Sequence, residues 1–225
     1  MLSGIPYFSG MQYSIYFTLV IVSFLASLTA YFQKDTPRYL RLFPLFLLVT
    51  IVVEIVSTWL TLHKKSAILL YNFFGSFEFL FYMYVVRENI RSPRVKKILF
   101  YTAWLFVLLV VINFLFIQRT VGFNSFTYAL GCLIIAVICI YYFFELFQST
   151  TSVSLIRQPA FWICAGLIFF YACSFPVYAL LNFLKEAPDI IKKNFGVILL
   201  LLNVLLYSSF TIAFLCRLRV RNSTS

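Results

Sequence analysis

The stretch LFPLFLLVTIVVEIVSTWLTL, residues 42–62, is followed after a short polar turn by AILLYNFFGSFEFLFYMYVV, residues 67–86. Each stretch holds about 20 mostly apolar residues, enough at 1.5 Å rise per residue to cross the hydrocarbon core of a bilayer as a helix. Each also carries one glutamate near its middle, Glu54 and Glu78. The two stretches predict a pair of antiparallel transmembrane helices with an acid in each.

The composition extends this prediction to the whole chain. Hydrophobic residues make up 63% of the 225 and charged residues 11%, with a mean hydropathy of +0.96. Soluble domains usually carry about a quarter charged residues, so a membrane protein is indicated. We predict an all-α fold, a single domain over residues 1–225, built as a bundle of seven transmembrane helices. The predicted spans are residues 12–32, 42–62, 67–86, 98–117, 125–147, 160–182 and 196–216.

The basic residues indicate how the bundle is oriented. Of the 18 Lys and Arg residues, twelve fall on one side of the predicted spans and six on the other. The twelve are Lys34, Arg38, Arg41, Arg87, Arg91, Arg94, Lys96, Lys97, Arg157, Arg217, Arg219 and Arg221. Because cytoplasmic loops carry the excess of basic residues, we expect the amino terminus outside and the carboxyl terminus in the cytoplasm. The net charge of +11 is explained in this way without a nucleic-acid partner.

Polar residues form a stripe on each of the two glutamate-bearing helices. In the second span the stripe is Thr50, Glu54, Ser57 and Thr61, and in the third it is Tyr71, Gly75, Glu78 and Tyr82. Both follow helical spacing, so each lies on one helix face. Acyl chains offer no hydrogen-bond partners, and the stripes are therefore expected to face each other inside the bundle.

Counting residues from the predicted outer ends places further polar residues at the same depth. We predict a polar pocket in the outer half of the bundle that binds a ligand or a proton. Its predicted residues are Glu54, Glu78, Asn72, Asn203, Tyr207 and Ser174. No basic residue lies in a span centre, so burial and mutual repulsion are expected to keep at least one glutamate protonated. The alternative is structural, with two neutral glutamates forming interhelical hydrogen bonds.

Three further patterns carry weaker predictions. Glu145, at the cytoplasmic end of the fifth span, is expected to pair with Arg157 or with a loop arginine. Small residues at 23, 26, 27 and 30 form a face for close helix packing in the first span. Phe32-Gln33 and Phe147-Gln148 are each followed eleven residues later by a proline, Pro44 or Pro159, that would open the next helix. This match favours a three-plus-one-plus-three repeat, although four matched positions also arise by chance.

Several kinds of chemistry find no support in the sequence. The single histidine, His63, lies in a turn, and no cluster of His, Asp or Cys has metal-ligand spacing. No nucleophile and base are placed for acyl transfer, and no phosphate-binding or dinucleotide motif occurs. We therefore expect no enzyme activity, no cofactor and no metal.

Glu54, Asn72 and Glu78, together with Tyr141-Tyr142-Phe143-Phe144-Glu145, Phe161-Trp162 and Asn203, resemble a set of uncharacterised seven-span bacterial inner-membrane proteins. Such proteins are often encoded near sensor histidine kinases. The resemblance implies the bacterial cytoplasmic membrane as location and a signalling protein such as a histidine kinase as partner.

Three functions remain open on this basis. The first hypothesis is a receptor-like sensory or signalling protein with a proton-sensitive pocket. The alternative is a transporter of small solutes or a proton-coupled carrier. A third is a structural subunit of a membrane complex, which an exposed small-residue face on the first span would support.

Overall fold

Seven long α-helices form the part of the chain that the computed structural model describes, residues 10–33, 36–118, 122–148, 155–179 and 189–222. They are α1 (Gly10–Leu28), α2 (Arg38–Leu62), α3 (Ile68–Asn89), α4 (Pro93–Ile112), α5 (Ser125–Phe147), α6 (Pro159–Ala179) and α7 (Asp189–Asn222). Short 3-10 turns follow α1 and precede α6, and a π turn at Asn113–Ile117 extends α4.

Each of the seven helices contains a segment long and apolar enough to cross a membrane. These segments are Gln12–Tyr31, Arg38–Leu62, Ile68–Asn89, Pro93–Ile117, Ser125–Phe147, Pro159–Ala179 and Gly196–Cys216. The predicted bundle of seven spans is confirmed, and the chain is a multi-pass helical membrane protein. The last three residues of the predicted sixth span, 180–182, lie outside the described residues.

Six of the helices form a ring in which each packs against two neighbours, and the remaining helix, α4, lies outside it. Within the described residues, α1 packs against α2 and α7, α3 packs against α2 and α5, and α6 packs against α5 and α7. Helix α4 packs against the outer side of the ring at α3. Only 17% of its apolar segment is buried, against 56% for that of α3, so α4 presents most of its surface to lipid.

This arrangement bears on the predicted three-plus-one-plus-three repeat. Helices α1–α3 and α5–α7 form two successive triplets, joined to each other where α1 meets α7 and α3 meets α5. The prolines that suggested the repeat are not equivalent, however. Pro159 opens α6 as predicted, whereas α2 begins at Arg38 after Pro37, so that Pro44 lies inside the helix. The expectation that Pro44 opens the second helix is wrong, and the repeat stays a prediction.

The turn between α2 and α3 sets the two glutamate-bearing helices side by side. Lys64 adopts a left-handed conformation with φ of 56°, and the N–H of Lys65 donates to the carbonyl of Leu60 at 2.8 Å. This reverses the chain within a few residues, as the sequence predicts. The two polar stripes are thereby brought face to face.

A cluster of aromatic side chains joins three of the helices, α2, α3 and α7, on one side of the glutamates. Phe46 of α2 stacks on Phe81 of α3 with centroids 4.2 Å apart. Phe43 of α2 meets Phe210 and Phe214 of α7 edge-on, at 5.2 and 5.6 Å. These five residues, the aromatic plug, lie along their helices between the glutamate level and the predicted cytoplasmic ends. Stacked and edge-to-face ring pairs pack densely, so the plug joins α2, α3 and α7 on this side of the glutamates.

Candidate functional site: two acids among buried tyrosines

The stripe on α2 is buried over most of its predicted length. Thr50 is 2% exposed, and Glu54 and Ser57 are 0% exposed. Thr61, the last member, is exposed and donates to the carbonyl of Ser57 in its own helix at 2.9 Å. The polar face of α2 therefore ends one turn before the helix does.

Glu54 accepts hydrogen bonds from tyrosines of two neighbouring helices. The hydroxyl of Tyr16 in α1 donates to Glu54 Oε1 at 3.0 Å, and that of Tyr71 in α3 donates to Oε2 at 3.2 Å. Ser57 Oγ donates in turn to the Tyr71 hydroxyl at 2.6 Å, which orients the Tyr71 proton towards the carboxyl group. The Glu54 network thus ties α1, α2 and α3 together and confirms that the two stripes meet.

Glu78 lies in a different environment, among polar atoms that lack partners. Its side chain is 5% exposed. Of the six buried oxygen atoms that have no hydrogen-bond partner within the described part of the chain, four belong to α3 and α6: Glu78 Oε2, the hydroxyls of Tyr82 and Tyr171, and Ser174 Oγ. Tyr82 and Tyr171 are close enough to Glu78 to interact electrostatically with its carboxyl group, although neither hydroxyl forms a hydrogen bond within the described residues. Buried polar groups are nearly always paired, so this set, the Glu78 centre, calls for an explanation.

The Glu78 centre draws on α3 and α6, the two helices that flank α5 in the ring. Glu78 and Tyr82 follow each other by one turn on α3, and Tyr171 and Ser174 do so on α6. The rings of Tyr82 and Tyr171 meet edge-on with centroids 5.8 Å apart. Four oxygen atoms, one of them from a carboxyl group, can together accept hydrogen bonds from a positively charged donor or share a proton.

Tyrosines of α1 and α7 connect the two acids, which do not touch each other. The ring of Tyr16, whose hydroxyl binds Glu54, packs edge-on against Tyr207 of α7 at 5.7 Å between centroids. Tyr207 and Tyr16 both interact electrostatically with Glu78. Among the described residues no hydrogen bond joins Glu54 to Glu78. Each acid therefore acts within its own set of hydroxyl groups, and Tyr16 and Tyr207 lie between the two.

Of the other predicted pocket residues, Tyr207 and Ser174 are buried in this region, at 3% and 0% exposure. Asn203 is also buried, but its amide donates to the carbonyl of Leu199 one turn earlier in α7, at 2.7 Å. The side chain of Asn203 thus forms its hydrogen bond within its own helix. We find no contact that assigns it to either acid in the described structure.

Asn72 has a structural role that the sequence did not predict. Its amide nitrogen donates to the carbonyl of Gly122 at 2.9 Å, and its Oδ1 accepts the N–H of Asn124 at 3.0 Å. Both partners belong to the segment that leads into α5. Asn72 therefore fastens this segment to α3, and its predicted place in the polar pocket stays a prediction. One residue step rotates a helical side chain by about 100°, which turns Asn72 away from the Tyr71 face.

A small cavity of about 10 Å³ lies beside this fastened segment, between α3 and the start of α5. That is roughly the space of one water molecule. Its walls include Tyr71, Asn72 and Gly75 of α3 and Asn124 of the segment. Neither glutamate is among the residues that line it.

Three tyrosines that interact electrostatically with Glu78, namely Tyr16, Tyr128 and Tyr171, are absent from the predicted site. Tyr128 of α5 interacts electrostatically with Glu78 and packs against Phe79 at 4.9 Å. A signal for these residues was present, because a tyrosine inside an apolar span must place its hydroxyl among polar groups. Their direction around each helix is what the sequence leaves open.

At the predicted cytoplasmic end, Glu145 has a partner other than the expected arginine side chain. Its carboxylate accepts the backbone N–H groups of Arg91 and Ser92, at 2.5 and 2.8 Å, where α4 begins. A carboxylate is favourable there because the first N–H groups of a helix lack partners within the helix. Arg157 instead offers its carbonyl to Cys216 Sγ at 3.9 Å, and the expected pairing of Glu145 with Arg157 is wrong.

In the described residues, no group of three or more His, Cys, Asp or Glu is placed to hold a metal ion. No protein-family model, curated protein or solved structure matches this chain. The chemistry of the polar centre therefore has to be inferred from its own residues.

Proposed function

We propose that this protein is a receptor-like sensory or signalling membrane protein whose Glu78 centre binds a proton or a small cationic ligand. The observation that carries the proposal is the set of four buried oxygen atoms without partners at Glu78, Tyr82, Tyr171 and Ser174. An unpaired buried polar group costs about 1–3 kcal/mol. A site that keeps four of them together is suited to a ligand that supplies the missing hydrogen bonds.

The Glu54 network supplies a means by which occupancy would change helix packing. Tyr207 contacts Tyr16 and interacts with Glu78, and Tyr16 in turn binds Glu54. A change of charge at Glu78 therefore acts on hydroxyl groups that hold α1, α2 and α3 together. Such a change biases the packing of several helices at once, which is what a receptor requires.

Helix α3 leads from the Glu78 centre to the basic segment at residues 87–97. Arg87 Nε, near the end of α3, donates to the carbonyl of Lys96 in α4 at 3.0 Å, and its guanidinium lies 5.9 Å from the Phe100 ring. The end of α3 is thereby attached to the start of α4. A displacement of α3 would reach this basic segment, where a signalling partner such as a histidine kinase would bind.

The aromatic plug favours a receptor over a carrier. A carrier must open its site alternately to both sides, whereas a receptor keeps one side sealed. The close ring contacts of Phe43, Phe46 and Phe81 hold α2 and α3 together towards the predicted cytoplasmic side, which supports a site that stays closed to that side. The proposed ligand accordingly enters from the outer side.

A carrier of small solutes or protons is the second candidate, and the arrangement of the helices supports it. Two triplets, α1–α3 and α5–α7, surround the polar centre with α4 between them in sequence. Transporters are often built from such repeats around a central site. The third candidate, a structural subunit, loses its expected support. Ser23 and Ser27 are 0% exposed, and Ser23 Oγ donates to the Tyr207 carbonyl at 2.7 Å, so this face is already used by α7.

We further propose that the protein resides in a bacterial cytoplasmic membrane with its amino terminus outside. The distribution of basic residues supports this orientation. Reporter fusions at both termini test it. An amino-terminal fusion that is active in the cytoplasm would reverse the proposed sidedness.

The function itself is tested with Glu78→Gln in purified protein, with the exposed Glu88→Gln as matched control. Thermal unfolding is followed from pH 5 to pH 9, with and without a panel of small monovalent cations and amines. We expect the wild type and Glu88→Gln to respond to pH or to a cation, and Glu78→Gln to lose that response. If Glu78→Gln responds as the wild type does, the centre is not a binding site. Uptake into proteoliposomes then distinguishes the carrier, which accumulates solute, from the receptor, which does not.

A further inference from the structure

A second polar cavity lies at the predicted cytoplasmic end, apart from the Glu78 centre. Its volume is about 70 Å³, several times the space that one water molecule needs. It is formed where the end of α3, the end of α5 and the start of α6 meet. Its walls are Asn89, Arg91, Tyr142, Glu145, Leu146, Gln158 and Ala160.

The hydroxyl of Tyr142 is the first indication that the cavity holds a ligand. The Tyr142 side chain is only 4% exposed and lines the cavity. A phenol hydroxyl on the wall of such a cavity can donate a hydrogen bond to a ligand held there. The guanidinium of Arg91 interacts electrostatically with Tyr142, so a cation and a hydroxyl donor share this space.

The carboxylate of Glu145, which also lines the cavity, already has hydrogen-bond donors. Both carboxylate oxygens accept backbone N–H groups at the start of α4, from Arg91 and Ser92. The side chain of Arg91, in contrast, forms no ion pair among the described residues. What remains for a ligand is the Arg91 guanidinium, the Tyr142 hydroxyl and the Gln158 amide, which together provide several donors and one positive charge.

From these groups we infer a binding site for a phosphate group, supplied either by an anionic lipid headgroup or by a soluble phosphate. Arginine is the residue best suited to bind phosphate, because its planar guanidinium donates two parallel hydrogen bonds. The cavity lies at the level where headgroups meet the predicted cytoplasmic ends of the helices. Anionic lipids are concentrated on that side of the membrane. The site does not depend on the proposed function of the Glu78 centre.

The test measures stabilisation of the purified protein in phosphatidylcholine nanodiscs. One arm titrates inorganic phosphate against chloride at the same ionic strength, and the other replaces part of the lipid with phosphatidylglycerol. Thermal unfolding is read in both arms, and native mass spectrometry counts retained phosphatidylglycerol. Stabilisation by phosphate identifies a soluble ligand, and stabilisation or retention with phosphatidylglycerol alone identifies a headgroup. If neither source stabilises the protein, the site does not exist.

Two variants and a control tie the effect to the cavity. Arg91→Gln keeps the backbone N–H that Glu145 binds and removes the charge, and we expect it to weaken phosphate binding about ten-fold. Tyr142→Phe keeps the ring and removes only the hydroxyl, and a several-fold loss is expected. Arg94→Gln removes an exposed charge from the same segment that does not line the cavity, and binding should stay within about two-fold of the wild type. If Arg94→Gln and Arg91→Gln weaken phosphate binding equally, phosphate is attracted by the basic segment as a whole. That result would overturn the proposed site.

Discussion

The hydroxyl of Tyr16 in α1 donates a 3.0 Å hydrogen bond to Oε1 of Glu54 in α2, at a point where both side chains are almost completely buried. Tyr16 also packs against Tyr207 of α7. A single side chain of the first helix thus joins the Glu54 network to the far end of the chain. Glu54 is well supplied with donors, whereas Glu78 is not, and this difference separates a structural acid from a candidate binding acid.

Replacing Tyr16 by Phe should destabilise the bundle by about 1 kcal/mol, because a buried oxygen of Glu54 loses a donor while the ring contact with Tyr207 is kept. Thermal unfolding in detergent or nanodiscs measures the change. Tyr101→Phe on the outer surface of α4, where the side chain is 60% exposed, is the matched control and should leave stability unchanged. Equal stability of the Tyr16→Phe protein and the wild type would show that the bond to Glu54 contributes nothing.

A double-mutant cycle on Ser57→Ala and Tyr71→Phe should show positive coupling of roughly 0.5–1 kcal/mol. The Ser57 hydroxyl donates to the Tyr71 hydroxyl at 2.6 Å, and Tyr71 donates onward to Glu54. Removing either hydroxyl therefore removes part of what the other contributes. Additive losses in unfolding free energy would mean that the two hydroxyls act independently and that the chain to Glu54 is not cooperative.

Replacing Asn72 by Ala should loosen the segment that leads into α5 without altering the response of Glu78 to pH or cations. Two hydrogen bonds, to Gly122 and Asn124, hold that segment to α3. Hydrogen exchange is expected to rise at residues 122–124. Ser76→Ala, which removes a bond to the Asn72 carbonyl in the same helix, is the control and should leave exchange there unchanged. A lost ligand response in Asn72→Ala would return this residue to the polar site.

The amino-acid pattern predicted the number and place of the spans and the meeting of the two stripes, because apolar length and helical spacing are properties of one segment at a time. It also predicted Tyr207 and Ser174 as buried polar residues in the outer layer. The hydrogen-bond partners of Asn72 and Glu145 were not predicted, for a common reason. Both bind backbone groups of a connecting segment, and the position of such a segment depends on how whole helices pack.

The tyrosines of the polar centre show a second limit of the same kind. Tyr16, Tyr128 and Tyr171 lie in apolar spans, where the sequence indicates that each hydroxyl needs a polar neighbour but not which one. Whether a ring directs its hydroxyl inward depends on the rotation of its helix, and helices that are apolar all round give little information on that rotation. Only the packed ring of six helices brings these hydroxyls to the two acids.

Replacing Glu145 by Ala should destabilise the predicted cytoplasmic end by about 1–2 kcal/mol, because the N–H groups of Arg91 and Ser92 lose their acceptor at the start of α4. Glu145→Gln keeps one carbonyl acceptor and is expected to lose about half as much. Unfolding free energy and hydrogen exchange at residues 91–92 measure the effect. Glu88→Ala, which removes an exposed ion pair with Arg87, should cost little. A Glu145→Ala protein with unchanged exchange at the start of α4 would contradict this role.

Adding a methyl group at Gly131 should disturb the ring contacts around Glu78. A Cβ atom there would lie 2.6 Å from Cδ2 and Cε2 of Phe79, far inside normal contact distance. The Phe79 ring is 1% exposed and packs against Tyr128 at 4.9 Å and Tyr171 at 5.3 Å, so it has no free space to occupy. Gly131→Ala is therefore expected to cost about 1–3 kcal/mol of stability and to weaken the response of the Glu78 centre together with it.

Gly122→Ala is the matched control for Gly131→Ala, since a Cβ at Gly122 would meet no atom within 4 Å. Its unfolding temperature and ligand response should equal those of the wild type. If Gly131→Ala lowers stability but leaves the response of Glu78 intact, the tyrosine positions are not what tunes the centre. The Phe79 ring contacts both Tyr128 and Tyr171, so any displacement of this ring would also displace their hydroxyls. An unchanged response would therefore mean that the response depends on the carboxyl group of Glu78 itself.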